Sequence, residues 1–303
     1  MSLTRRQLVI IAGSIALGLV VALVSWVNLA AYIVKRVVPT DATYAAIAES
    51  SQRLTGTDMQ FPDVECTPAE WRSDITYKER YAERVFACLD EMWRPAVDGE
   101  RLDGDLVAPH IDMRLEGDDA PAVCGDGSDA YGASFYCVDN RTIRIWTYEG
   151  FNELDLVRVA THEYGHHLQQ AMGIESRLSS LVAQESDPYQ AILLTRRLEA
   201  QAECLSGFSS NHIWPDLAEM SVEEDDIDVG GEDPGDTHPN QANNRMWFNR
   251  GMEQGLSSCD TWSAPESEVR GTRQLSVDSI RAVGKANPGR DWSNPPDAVI
   301  VSR

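Results

Sequence analysis

The stretch His162-Glu163-Tyr164-Gly165-His166 constrains this 303-residue chain more than any other. On an α-helix, positions i and i+4 stack on one face, so both imidazoles reach a single ion only if the segment is helical. Glu163, directly after the first ring, then holds its carboxylate near enough to take a proton from a water at that ion. The run from Leu154 to Met172 supports the helix, because Leu154, Val157, Thr161, Leu168 and Met172 recur at helical spacings and form one stripe for burial. A surface helix carrying two solvated histidines has no need of such a stripe. Gly165 costs helix stability, and its bare backbone lets another element pack closely. His167 projects about 100° away from His166 and reads as structural, as do His110 and His212.

A zinc site that performs chemistry takes three protein ligands and keeps a fourth position open. The third ligand in this reading is Glu199, on a second predicted helix from about Tyr189 to Ser210. Glu203, one turn further, accepts a hydrogen bond from the far nitrogen of a ligand histidine, which orients the ring. Glutamates four apart usually form a solvated acidic face. Here Ala200, Ala202, Cys204, Leu205 and Gly207 make an inward, packed turn the better reading.

His162–Gln169 (HEYGHHLQ) followed by Glu199–Gly207 (EAQAECLSG) resembles the bacterial family of predicted neutral zinc metallopeptidases, a gluzincin-like branch of the HExxH peptidases. That family's second motif reads Glu-x-x-Ala-Asp-Cys, so this chain departs from it with Glu203. Tyr131–Asn140 leading into Thr142–Trp146 is similar to the family's cysteine-bearing strand. Asp236–Arg245 followed by Met246–Gly251 is similar to its His-x-x-x-x-x-Arg segment, with one extra residue between His238 and Arg245. The four motifs occur in order over roughly residues 60–262.

The resemblance implies an α+β, zincin-like metallopeptidase domain with a small sheet packed on the HExxH helix. It implies one Zn2+ per chain held by His162, His166 and Glu199, with Glu163 as the general base for hydrolysis of a peptide or protein substrate. By the same resemblance His238 is the candidate donor to the oxyanion, and Arg245 the candidate partner of a carboxylate. An extended substrate would add to an exposed edge of the strand around Thr142–Trp146. The alternative is a catalytically silent relative, a binding or scaffolding ectodomain that retains the site.

Residues Leu8 to Val34 form 27 consecutive uncharged positions between Arg5-Arg6 and Lys35-Arg36. As a helix this run is about 40 Å long, enough for a hydrocarbon core of about 30 Å with some tilt. Its length and the poor cleavage site at Asn28-Leu29-Ala30 favour an uncleaved anchor in the lipid bilayer over a removed leader. The flanking charges balance and leave orientation open.

The cysteines speak to compartment. Cys66, Cys88, Cys124, Cys137, Cys204 and Cys259 all follow the apolar run, and none has CxxC spacing. An even count beyond an anchor suggests an oxidising exterior and three disulfides. Fifteen pairings are possible. The favoured set is Cys124–Cys137 across a short loop, Cys204–Cys259 tying the Glu199 helix to the end of the next helix, and Cys66–Cys88 bracing the first soluble helix. Buried free thiols in a cytosolic protein are the competing arrangement. The expected location is therefore the cell membrane, single-pass, with the catalytic domain outside the cytoplasm.

Arg5, Arg6, Lys35 and Arg36 are four of the 26 basic residues, leaving 22 against 48 acidic ones, a charge of about −26 beyond the anchor. That field repels nucleic acid and anionic lipid surfaces and excludes them as partners of the soluble part. The expected organisation is a short N-terminal segment 1–7, the anchor 8–34, a linker 35–60 with a short helix from Asp41 to Leu54, the peptidase domain 61–262 and a poorly ordered tail 263–303. Within the domain, Asp74–Trp93 reads as a helix burying Tyr77, Tyr81, Val85 and Leu89, with Pro95 ending it. Leu106–Leu115 and Phe135–Thr147 read as strands, Asn240–Leu256 as a helix, and Glu219–Asp236 as an acidic mobile loop.

Overall fold

The computed structural model describes residues 40–97, 106–117, 124, 134–185, 187–215 and 237–271. The chain falls into two units, Met1–Thr43 and Tyr44–Arg303, and the description below concerns the second. The run 8–34, expected to be an anchor, and the acidic loop 219–236 lie outside the described residues. Among the described residues no helix is long and apolar enough to cross a membrane.

The elements are α1 (Thr40–Leu54), α2 (Ile75–Val97), β1 (His110–Leu115), β2 (Phe135–Cys137), β3 (Thr142–Thr147), α3 (Glu153–Ala171), α4 (Ile174–Gln184), α5 (Pro188–Ile213) and α6 (Gln241–Gln254). This is a helix-rich α+β arrangement around a small mixed sheet. Its strand order is β1-β3-β2, with β1 parallel and β2 antiparallel to β3.

The helix that carries the histidines starts on a reciprocal cap. The Asn152 side chain accepts from the N–H groups of Leu154 and Asp155, and Asp155 accepts from the Asn152 N–H. Such caps contribute about 1 kcal/mol. Past its last turn the chain reverses at Gly173, whose φ of 67° suits a residue without Cβ. Sequence periodicity gives α3 one apolar stripe, but the structure buries it almost all round. Arg158, Thr161, Glu163, His167 and Gln169 are buried along with Leu156, Val157, Ala160 and Leu168. The sheet, α2 and α5 pack around it, so each inward polar group needs a partner.

Two close backbone approaches place α5. A Cβ on Gly165 would stand 3.1 Å from the Cα and carbonyl oxygen of Ala202, so α3 and α5 meet at bare backbone. On the other side of α5, a Cβ on Gly251 of α6 would lie 1.9 Å from the Cys204 carbonyl oxygen, and one on Gly207 would lie 2.0 Å from that of Phe248. Glycine at both positions lets α5 and α6 touch main chain to main chain. Asp187 caps α5 through the Tyr189 N–H, with Pro188 in its first turn.

Several expectations need correction. The segment Phe135–Thr147 is not one strand but a hairpin, broken where the Asn140 side chain accepts from the Thr142 N–H and Arg141 takes φ 57°. Within the sheet β3 is the central strand, and all six of its residues are buried. Its partners β1 and β2 occupy the edges on which substrate addition was expected. The other expected strand starts at His110 rather than Leu106. Helix α2 runs past Pro95 to Val97. A proline so near the helix end removes at most one hydrogen bond, and burial of Ala96 and Val97 outweighs that loss. On the α2 face, Tyr81, Val85 and Leu89 are fully buried, whereas Tyr77 is half-buried with the guanidinium groups of Arg72 and Arg80 over its ring.

The domain also exceeds its expected bounds. In α1, placed within the linker, Ile47 and Leu54 are fully buried in the core, and Ser51 accepts from Gln201 at 2.6 Å. Past residue 262, Val269 is buried with Trp247, whose indole N–H donates to the Glu268 carbonyl, and Arg250 pairs with the Glu268 carboxylate at 2.6 Å. Packing therefore continues into the segment expected as tail. Helix α4 has no counterpart in the sequence reading, although Ile174, Leu178, Leu181 and Val182 recur at helical spacing and are buried. All six cysteines are paired, as Cys66–Cys88, Cys124–Cys137 and Cys204–Cys259.

Candidate metal centre

His162 and His166 lie one turn apart on α3, their ring centroids 4.9 Å apart and the planes nearly perpendicular. Opposite them α5 presents Glu199. Its Oε2 atom is 3.4 Å from Nε2 of His162 and 3.1 Å from Nε2 of His166. One ligand atom from each of the three side chains lies within 4.8 Å of the other two. His238, just before α6, brings its Nε2 to 3.2 Å from the same carboxylate oxygen and stacks on the His162 ring at 6.1 Å. Its side chain is 31% exposed, against 10% for His162 and 12% for Glu199. The cluster therefore opens to solvent on the His238 side.

The far nitrogens of both rings are held from behind. Glu203 Oε2 is 3.0 Å from Nδ1 of His162, and Arg158 donates to its other oxygen at 2.9 Å. The glutamate at this position thus spans the distance to the ring. For His166 the partner is Gln169, whose Oε1 is 2.9 Å from Nδ1. With each Nδ1 donating backward, each Nε2 faces Glu199, and an ion bound there would take the place of the Nε2 proton. Two imidazole nitrogens and one carboxylate oxygen, buried and converging, form a donor set suited to zinc. The residues present fit that ion.

The carboxylates make the cluster attract positive charge. Burial pushes the His162 ring down, but hydrogen bonds to Glu199 and Glu203 outweigh it and raise the ring to about 10. Burial alone would raise Glu203, yet Arg158 and His162 hold it at about 2. Glu199 is likewise held well below the usual carboxylate range against its burial, by His238, His166 and His162. Both carboxylates are thus ionised, a field that favours a cation among them. Glu163 differs. Burial pushes it up, with the attraction of His162, His166 and His238 only partly opposing.

The structure thus brings His162, Glu163, His166, Glu199, Glu203 and His238 into one site. Glu203 pairs with Arg158, four residues before His162 on α3, and Arg245 lies half-buried on α6. The signal for Arg158 was a charged residue embedded in an otherwise apolar helix face one turn from a ligand. Sequence reasoning also passed over Gln169, three residues after His166, and Glu175, whose Oε1 lies 3.9 Å from Nδ1 of His166 and whose carboxyl is pushed up to about 7 by burial. Of the histidines read as structural, His167 hydrogen-bonds the Tyr136 hydroxyl at 3.1 Å, and His212 donates to the Pro62 carbonyl.

The family described as "Putative neutral zinc metallopeptidase" matches residues 48–230 of the chain. The chain belongs to this family. The match spans the α3 pair and both α5 glutamates, and its start at residue 48 falls inside α1. Among similar proteins, "Uncharacterized protein Mb2605" of Mycobacterium bovis is 27% identical over 217 residues, covering 59% of this chain and 68% of that one. "Uncharacterized protein Rv2575" of Mycobacterium tuberculosis matches to the same extent. No solved structure matches.

Proposed function

We propose that this chain is a zinc-dependent endopeptidase with a zincin-like site. The observation that carries the reading is the convergence of Nε2 of His162, Nε2 of His166 and Oε2 of Glu199, with Glu163 buried beside the two rings. Zinc held there supplies a Lewis acid that polarises a peptide carbonyl and brings a water toward neutral pKa. The protein's own groups handle the protons. Glu163, with its carboxyl raised by burial, accepts the proton of the attacking water and returns it to the leaving amine. His238, on the open side, is placed to donate Nε2–H to the oxygen that gains charge. Glu203 and Arg158 hold the His162 ring still throughout.

The location reading is a single-pass membrane protein with this domain outside the cytoplasm. It is supported by the uncharged run 8–34 and by three disulfides with no free cysteine. Thiol labelling in intact cells, with and without reductant, tests it.

The decisive test of activity is Glu163→Gln in the full-length protein. The variant is expected to keep one zinc per chain and to lose hydrolysis of an unfolded protein substrate. Retained hydrolysis removes Glu163 from the mechanism. Wild-type protein that holds zinc yet cleaves nothing points instead to the silent scaffold.

A further inference from the structure

The two ligand histidines are oriented by unlike devices, a charged one behind His162 and a neutral one behind His166. The neutral device extends well beyond the ring. Gln169 and Gln201 are both fully buried. The Gln169 amide N–H2 donates to the Leu198 carbonyl at 2.9 Å and to Oε1 of Gln201 at 3.2 Å. The Gln201 amide N–H2 donates in turn to Ser51 Oγ at 2.6 Å and to the Cys259 carbonyl at 3.2 Å.

These contacts fix the direction of every bond. A backbone carbonyl only accepts, so Leu198 and Cys259 decide which end of each amide is nitrogen. Turning either amide over would press two oxygens together in a site without solvent and leave an N–H group unpaired. With Gln169 held, the atom facing Nδ1 of His166 is an oxygen. That nitrogen must therefore carry a proton, which leaves Nε2, 3.1 Å from Glu199, as the nitrogen that can give its lone pair to a metal.

The geometry points to Gln169 and Gln201 as positioning residues: a two-amide relay, anchored on the Cys259 carbonyl and on Ser51 of α1, that fixes the tautomer and ring angle of His166 for metal binding. This inference rests on the zinc reading above. Glu175 lies 3.9 Å from the same Nδ1 and is the competing acceptor. The relay also ties the site to a disulfide. Cys259 is bonded to Cys204, the neighbour of Glu203, so one cross-link anchors the supports of both rings.

The test uses the full-length protein with 15N-labelled histidine, as wild type, Gln169→Met and Gln201→Met. Each is loaded with zinc, and affinity is read by chelator competition. In the wild type the Nδ1–H proton of His166 is expected to resonate downfield and to exchange slowly with water. Gln169→Met should lose that protected resonance and bind zinc about 10–100-fold more weakly. Gln201→Met touches neither ring yet should weaken zinc in the same direction by a smaller factor. A merely structural role would lower thermal stability and leave the resonance in place. If wild type binds zinc and both variants match it, or if Gln169→Met keeps the protected proton, the relay is overturned and Glu175 holds the ring. If wild type binds no zinc, both the functional reading and this inference fall.

Discussion

Glu203 on α5 holds His162 on α3 at 3.0 Å and is itself held by Arg158 at 2.9 Å, so three charged or chargeable groups share one dry space. Each is nearly inaccessible. Burying a charge is tolerable only when partners surround it, and removing one partner strands the others. Glu203→Ala is therefore expected to destabilise the fold by about 3–5 kcal/mol and to weaken zinc about 10–100-fold. Glu203→Asp keeps the carboxylate but shortens the arm by one methylene. It should stretch one of the two contacts and fall between wild type and Glu203→Ala in zinc affinity. Denaturant unfolding and chelator competition measure the two effects.

Backbone contact between helices gives a second expectation. Gly251→Ala must push α6 away from the Cys204 carbonyl, because a methyl there overlaps main-chain oxygen rather than a flexible side-chain end. Overpacking costs about 1–3 kcal/mol and occasionally more, and this case belongs at the upper end. Gly165→Ala meets Ala202 at 3.1 Å, a milder conflict partly offset by about 1 kcal/mol of helix propensity. The order of melting temperatures should be wild type, then Gly165→Ala, then Gly251→Ala. The reverse order for the two variants would show that α5 and α6 do not meet this closely.

His167 gives a pH dependence. Burial pushes its ring down to about 4, with Asp90 only partly opposing and Arg141 and Arg94 adding to the shift. The folded value lies below the unfolded one, so the unfolded chain takes the proton first as pH falls. The stabilisation is whole above about pH 6.5, declines between about 6.5 and 4, and is gone below about 4, for a total of about 3 kcal/mol. His167→Gln removes this titration. Its stability should fall less steeply than wild type across that window, as read from tryptophan fluorescence in urea at a series of pH values. Parallel slopes would contradict the buried, neutral ring.

The disulfides should differ in weight. Cys204–Cys259 closes a separation of 55 residues and Cys66–Cys88 one of 22. Each contributes about 2–4 kcal/mol, with the longer loop ahead by about 1 kcal/mol on chain entropy alone. The Cys204→Ser/Cys259→Ser double variant should also lose zinc affinity, because it frees the segment carrying the Cys259 carbonyl from α5 beside Glu203. The Cys66→Ser/Cys88→Ser variant should lose stability alone. Equal zinc affinity in the two double variants would separate the disulfide from the metal centre.

Much of the site was legible in the chain itself. Two imidazoles four residues apart, glutamates at 199 and 203 on a second helix, and an even set of cysteines are local patterns, and local patterns follow from helical repeat and residue chemistry. The misreadings were of another kind. Pro95 predicts a helix end, and burial of Ala96 and Val97 overrides it. The hairpin at Asn140-Arg141 was hidden inside an apolar run. The edge assigned to Thr142–Trp146 belongs to β1 and β2, because strand order is set by pairing between distant segments.

By itself the sequence determined that His162 and His166 share a helical face, which residue types could bind a cation there, and that α5 would bring acidic groups on one repeat. Only the tertiary structure decided that Arg158 supports Glu203, that His238 completes the open side, and that Gln169 and Gln201 stand in line behind His166. Spacing along a chain specifies which side chains share a face. It cannot specify which faces meet, since that depends on helix crossings such as Gly165 on Ala202 and Gly251 on Cys204, where the absence of a side chain, rather than its presence, sets the distance.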